Sequence, residues 1–467
     1  MNGGRRERGS EQNSHPKCGI QETDVQQRAP LSISRSETDS CDDAQSVYRR
    51  IVWRLCPILF FSYVIACIDR TNIGFAKIQM QSEIGLTDTV YGFGAGIFFI
   101  GYFLFELPSN LFLQRYGARR WISRIMVSWG VVSILMCTVH SPLTFYILRF
   151  LLGVAEAGLL PGVIFFLLSW LPRVRRSRFI AIIYSGSALS GIIGGPLSGY
   201  LMGRLEHFGG LGGWQWMFVL EGLPALVLAA VLYFTLDDAP QDAKWLSSPE
   251  KELVIARLDT HPGPGARDTI GGALRSGRLW WLTFIYFSQA AGYVGMTLWL
   301  PSLIHSSGVK SVEKAGILSS LPYIAAIVMT YFVSRSADQR NEYRWHVIVP
   351  QLIAAVGLVS STYFTHDTIA SLFCLALALS GAIAAAPPFW ALPSEFLRGT
   401  GASAGVALIS ATGNLGGFAS PFLIGFVRDV TGRTEIALWI IAGILVAGAI
   451  AVALLPKNVG NRSGVYT

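Results

Sequence analysis

Residues 51–76 read IVWRLCPILFFSYVIACIDRTNIGFA. The stretch is long enough to cross hydrocarbon as a helix, which takes ~20 mostly apolar residues. Asp69 and Arg70 fall late in it, about 20–25 Å beyond Arg54 at the helical rise of ~1.5 Å per residue. A charge at the centre of a membrane helix costs at least ~2.5–3.5 kcal/mol on insertion scales, so such residues face a partner or a water-filled path. An outer-headgroup position is the alternative. The helix-compatible continuation Thr71-Asn72-Ile73-Gly74-Phe75-Ala76 favours burial.

Eleven more apolar stretches follow, at 91–113, 121–139, 143–171, 178–202, 214–236, 280–303, 314–334, 345–364, 367–392, 400–427 and 434–455. The composition agrees, with 52% hydrophobic residues, 14% charged residues and a mean hydropathy of +0.46. Soluble domains carry roughly 25% charged residues. The expectation is an all-α membrane protein of twelve transmembrane helices. The net charge of +8 does not indicate nucleic-acid binding, because no basic helix or nucleic-acid motif accompanies it. The six cysteines fit neither a zinc site nor a disulfide framework. No metal and no cofactor is expected.

The spans divide into halves. The one long connection, 237–279, carries Ser248-Pro249-Glu250, a helix-start signature, so a short surface helix is expected there. Arg120-Trp121 opens the third span and Arg344-Trp345 the ninth, 224 residues later. Gly194-Gly195-Pro196 is echoed by Gly416, Gly417 and Pro421, the prolines lying 225 residues apart. Two landmarks at nearly one offset indicate a repeat, a plan common in secondary transporters with the substrate site at the repeat interface. The expected organisation is a cytoplasmic tail without structure at 1–46, a six-helix bundle at 47–236, a cytoplasmic linker at 237–279, a second six-helix bundle at 280–456 and a tail at 457–467. Lys and Arg gather in alternate loops: Arg115, Arg119, Arg120 and Arg124, then Arg173, Arg175, Arg176 and Arg178, then Arg267, Arg275 and Arg398 among others. The opposite loops hold few, among them Lys77, Arg204 and Arg428. The positive-inside rule then puts both termini in the cytoplasm.

Arg149 and Glu156 lie two helical turns apart on one face of the fourth span. A guanidinium facing a cavity can hold a carboxylate through two parallel hydrogen bonds. Glu156 lies among Val154, Ala155, Ala157 and Gly158, surroundings that penalise its charged form and let it carry a proton at ordinary pH. A structural Arg–Glu tie between helices is the plainer reading and does not exclude this one. Gly191–Gly199 and Gly92, Gly94, Gly96 and Gly101 allow close helix packing. Pro387-Pro388 before Trp390 is expected to break the tenth helix. Tyr293, Trp299 and Trp390 could flank an aromatic acid.

These residues carry a resemblance. Asp69-Arg70-Thr71-Asn72-Ile73-Gly74, Gly101-Tyr102, Glu106-Leu107-Pro108-Ser109-Asn110 and Gly117-Ala118-Arg119-Arg120-Trp121 come first. Arg149 to Gly158, Gly213-Trp214-Gln215-Trp216, Leu220-Glu221-Gly222-Leu223-Pro224, Ala243-Lys244-Trp245-Leu246, Phe389 to Pro393 and Gly413 to Phe418 follow in order. Over about residues 50–456 the chain resembles the major facilitator superfamily and, within it, the anion:cation symporter family. The resemblance implies two pseudo-symmetric six-helix bundles and proton-driven uptake of an organic anion such as tartrate, a sugar acid or an aromatic acid. It implies proton coupling at Asp69 and Glu156, with Arg70 and Arg149 engaging substrate or those carboxylates. Tyr102, Trp390 and Asn414 are expected to line the substrate site, with Tyr293 beside them. Arg115, Gly117, Arg119 and Arg120 form the family's gating loop, although Gln114 stands where that loop usually carries an acid. The expected partners are the anion, protons and the lipid bilayer, with the protein a monomer in the inner membrane. An exporter or exchanger of the same fold, and a transporter-like sensor, are the alternatives. No nucleophile, nucleotide loop or His/Cys cluster points to an enzyme.

Overall fold

The computed structural model describes residues 35–258, 277–393 and 401–456, without side chains at 35–44, 173–178 and 401–404. Expectations placed on 1–34, 259–276, 394–400 and 457–467, including Arg267, Arg275 and Arg398, lie outside the described residues. The chain divides into two units, Met1–Arg49 and Arg50–Thr467. All contacts below belong to the second.

The described elements are helical. They are α1 (Arg35–Ile84), α2 (Asp88–Tyr116), α3 (Ala118–Leu135), α4 (Pro142–Glu156), α5 (Leu159–Trp170), α6 (Arg173–Arg204), α7 (Gly213–Thr235) and α8 (Ser248–Arg257). They continue with α9 (Gly277–Ser306), α10 (Val312–Arg340), α11 (Arg344–Ser361), α12 (Thr368–Ala384), α13 (Ala386–Phe389), α14 (Gly401–Gly413), α15 (Gly416–Thr431) and α16 (Thr434–Ala453). Local chemistry sets several starts. Thr87 caps α2 by accepting the Val90 N–H at 3.2 Å. Ser141 and Thr144 cap α4 reciprocally with Pro142 at its first position, the arrangement that satisfies free N–H groups at a helix start. In α8, Glu250 accepts the Ser247 N–H at 2.9 Å and pairs with Arg50. First the Ser247 bond and then Arg50 hold the Glu250 carboxyl below its usual range. That stabilisation is present above the ordinary glutamate pKa and fades as pH falls through the lowered one.

Ten stretches among the described residues are long and apolar enough to cross a membrane. Helices α9 and α11, where the seventh and ninth spans are expected, are less apolar. One carries Ser288 and Gln289, the other Arg344, His346 and Gln351. Their central polar groups face protein: Ser288, Gln289 and Gln351 are buried, and Gln351 Nε2 donates to Ser288 Oγ at 3.3 Å.

The two halves meet where α2 lies along α15 and α6 along α10. A side chain on Gly92 would strike the Pro421 carbonyl, and one on Gly316 would strike the Gly195 carbonyl. Gly92 and Gly316 are themselves 224 residues apart, so the repeat interchanges the two contacts. Tyr91 ties them further, donating towards the carbonyls of Ile73 and Leu298 at 3.3 Å each.

The same end is locked by charge. Helix α1 runs on to Ile84, eight residues past the expected boundary, so Lys77 is not in an outer loop. It is 2% exposed, 2.8 Å from Asp88 and 3.2 Å from the Trp299 ring centre. Asp88 also pairs with Arg428 at 3.2 Å. Asp429 in turn accepts the N–H groups of Asp88 and Thr89 at 3.2 and 2.7 Å, an anion placed on the first turn of α2. Gly92→Val should force this end apart, since the carbonyl it meets cannot yield. With Ser420, 1% exposed on α15, replaced by cysteine as a reporter, Gly92→Val should expose that thiol to a water-soluble maleimide. Equal protection in both backgrounds would contradict the packing.

Candidate functional site

Four charged residues singled out in the sequence are brought together inside the first half. Asp69 is 1% exposed, Arg149 1% and Glu156 0%. Arg70 Nε donates to Glu156 Oε1 at 2.6 Å, with the Arg70 side chain 26% exposed. The partner of Glu156 is therefore Arg70 of α1 and not Arg149 of its own helix. Arg149 instead donates to the backbone carbonyls of Gly94 and Ala95 at 3.4 and 3.1 Å. Gly101 and Gly153 make this possible, because a side chain on either would strike the opposing backbone of α4 or α2.

The fourth span is broken just past Glu156. Helix α4 ends there, Gly158 adopts φ 91°, and α5 starts at Leu159. Only glycine takes that conformation without strain, and the added volume of a side chain would meet Ser109. Glu156 thus ends a half-helix at mid-span.

Aromatic rings surround the cations. The Arg70 guanidinium lies 5.1 Å from the Tyr102 ring centre and 5.7 Å from Phe98. Arg149 lies 5.1 Å from the same Phe98. Phe98 thus borders both guanidinium groups, a favourable arrangement for cation–π attraction. Glu106 on α2 lies within electrostatic reach of Tyr102, Tyr184 and Tyr286.

In the second half, Trp390 packs on Tyr286 at 4.9 Å between ring centres, and the Tyr286 hydroxyl donates to Asn414 Oδ1 at 3.5 Å. Asn414 lies in the break between α14 and α15, and Trp390 just after the short α13, where Pro387 and Pro388 occupy the start of the helix. Tyr286 and Tyr293 lie within electrostatic reach of Arg70 across the interface. Of the expected residues, Tyr102 and Tyr293 therefore lie near that arginine, while Trp390 and Asn414 contact Tyr286, which itself lies within its electrostatic reach.

The residues expected to form a gating loop lie elsewhere. Arg115 and Arg120 are exposed. Arg119 donates its N–H to Asp238 at 2.8 Å and its Nε to the Tyr233 carbonyl at 2.6 Å. Gly117, at φ 85°, has the Asp238 carboxylate beside it. The loop is tied to its own half by Asp238, and residues 394–400 lie outside the described residues.

Sequence reasoning missed Phe98, Asn72, Glu221, Lys77 and Tyr286 as members of these clusters. Glu221 and Lys77 carried the signal of a lone charge in or beside an apolar stretch. Phe98 and Tyr286 carried none, since aromatic residues are common in membrane helices.

The described geometry agrees with comparison to known proteins. Residues 59–421 match the family model described as Major Facilitator Superfamily. The chain is 42% identical over 420 residues to "Putative metabolite transport protein NicT" of Pseudomonas putida, covering 90% of this chain and 96% of that protein. It is 41% identical over 421 residues to a "Putative tartrate transporter" of Agrobacterium vitis, with 90% and 96% covered. An inward-open structure of the Escherichia coli xylose transporter XylE superposes with a TM-score of 0.70 at 14% identity, covering 88% of this chain and 98% of that one.

Removing one member of a buried ion pair costs ~3–5 kcal/mol because the other is left uncompensated. Arg70→Ala should therefore destabilise the purified protein by about that amount, and adding Glu156→Gln should restore most of the loss. Denaturation midpoints of the two single variants and the double variant measure it; additive losses would contradict the pairing.

Proposed function

The chain belongs to the Major Facilitator Superfamily, and from that premise we propose that it is a proton-coupled importer of small organic anions, tartrate-like carboxylates foremost. It is a multi-pass membrane transporter and not an enzyme. The observation that carries the finer reading is the Arg70–Glu156 pair: a wholly buried acid holds the one arginine of the site that keeps 26% exposure.

That pairing supplies a coupling rule. While Glu156 is ionised, it competes with any incoming carboxylate for the Arg70 guanidinium. A proton on Glu156 removes the competitor and frees Arg70 to hold the substrate anion in its place. Proton and anion then favour the same occupied state, as coupled transport requires. Tyr102 and Phe98 border the guanidinium. Tyr286 and Tyr293 lie within its electrostatic reach from the second half, with Trp390 and Asn414 in contact with Tyr286. Arg149 holds α4 to α2 through backbone carbonyls and keeps Nη1 without a partner among the described residues. That group is available to substrate when the halves move.

With both termini in the cytoplasm of a bacterial inner membrane, the end locked by Lys77, Asp88 and Arg428 faces outward. The exposure of Arg70 then comes from the cytoplasmic side. Alternating access consists of opening the locked end while the other closes. The relatives named for tartrate and metabolite transport support the substrate class.

Purified protein in vesicles should accumulate tartrate when the exterior is acidified and should not without a gradient. Glu156→Gln should still exchange labelled for unlabelled substrate, yet lose accumulation by ~10-fold or more, the scale of a typical coupling energy. Arg70→Ala should abolish both. Accumulation by Glu156→Gln equal to wild type would refute the assignment, and accumulation driven by an alkaline exterior would indicate export.

A further inference from the structure

Glu221 is an enclosed acid on α7 to which the cycle above assigns no work. It is 3% exposed. Its Oε1 accepts from Ser198 Oγ at 2.7 Å and its Oε2 from Asn72 Nδ2 at 3.1 Å. The same Asn72 nitrogen donates to Asp69 Oδ1, also at 3.1 Å, and Ser133 Oγ donates to that oxygen at 3.0 Å. Two carboxylates from α1 and α7 therefore share one amide nitrogen, with hydroxyls from α3 and α6 on either side.

The surrounding charges do not neutralise them. Arg70, next to Asp69 in sequence, turns its guanidinium to Glu156. Arg149 and Glu156 of α4 are the charged groups that face the Asp69 side, and Arg149 is bonded to backbone carbonyls. Among the described residues, no Lys or Arg lies within ion-pair distance of Asp69 or Glu221. Two ionised carboxyls so placed would each be desolvated and would repel the other; groups in that position titrate as a pair with one proton held. One further atom agrees: Asn72 Oδ1 is buried without a hydrogen-bond partner. Asn72 Oδ1 is an acceptor lacking a donor, which a carboxyl O–H can supply and a carboxylate cannot.

We propose that Asp69 and Glu221 together hold one transported proton, Glu221 being a second proton-carrying acid of the coupling site. This rests on the proton-coupled reading above. A proton from water on the acidic side forms an O–H bond on one of the two carboxyls. In the opposite conformation that bond breaks and the proton returns to water on the other side; nothing else is exchanged. The charge of the pair reaches the anion site through Arg149 and Glu156, the charged groups of α4 within electrostatic reach of Asp69.

A purely structural tie among α1, α3, α6 and α7 would keep the helices together but hold no titrating proton, and infrared spectroscopy separates the two. The wild-type protein at neutral pH should show the carbonyl stretch of a protonated carboxylic acid that survives in Glu156→Gln and is lost or displaced in Glu221→Gln. Absence of such a band in wild type overturns the proposal. In vesicles, Glu221→Gln should keep tartrate exchange but lose ~10-fold or more of pH-driven accumulation. If wild type accumulates and Glu221→Gln does so equally with the same pH profile, the proposal fails while the importer reading stands. If wild type ignores the gradient, the importer reading fails first and takes the proposal with it. Should Glu221→Gln not fold, Ser198→Ala removes a donor that favours the ionised form. It should move the uptake profile to higher pH; an unmoved profile overturns the proposal.

Discussion

Glu156 is closed off from water on every side and touches one cation. In an apolar interior that single contact between α1 and α4 removes a cost of several kcal/mol per ion, so much else is arranged around it. Helix α4 stops at the acid, and Gly158 makes the turn that lets α5 continue. Gly101 and Gly153 bring α2 against α4 closely enough for Arg149 to reach carbonyls of its neighbour. Helix α1, held in place by Arg70, presents Asp69 and Asn72 to the opposite side, towards Glu221. The polar residues thus form two connected groups at mid-span, one bordering the interface of the halves and one inside the first half.

The interface itself is built on a different principle. Where the halves touch, the contacts are small residues against backbone, with Gly92 on Pro421 and Gly316 on Gly195. Such contacts separate and rejoin without unthreading side chains. They give little resistance of their own, so holding the end shut falls to Lys77, Asp88, Arg428 and Asp429. Packing sets the shape of the closed state, and charge sets how firmly it is held.

Most of the helical architecture was legible in the sequence because apolar length is a local signal. The repeat was legible as well, and its 224-residue offset extends to the paired glycines at the interface. The partners within the site were less legible. Spacing on one helix face suggests Arg149 for Glu156, whereas the acid is met by Arg70, 86 residues away in sequence. No periodicity reports a contact between two helices. Lys77 was misplaced for a related reason: its charge reads as a span boundary, while in the folded chain Asp88 and the Trp299 ring compensate it within the helix. Glu221 stood in an apolar stretch with the same signature as Glu156. Its bond to Asn72 could not be read, because that requires knowing which faces of α1 and α7 meet.

One carboxylate, Asp88, receives Lys77, Gln81 and Arg428, while its own backbone N–H is taken by Asp429. No one of these links can be given up without weakening the others, so the closure yields as a unit or not at all. For a carrier spanning a bilayer, that cooperativity guards against leakage. A half-parted barrier would let ions run down their gradient uncoupled from any cargo, and a clasp centred on one shared anion leaves little room for such an intermediate.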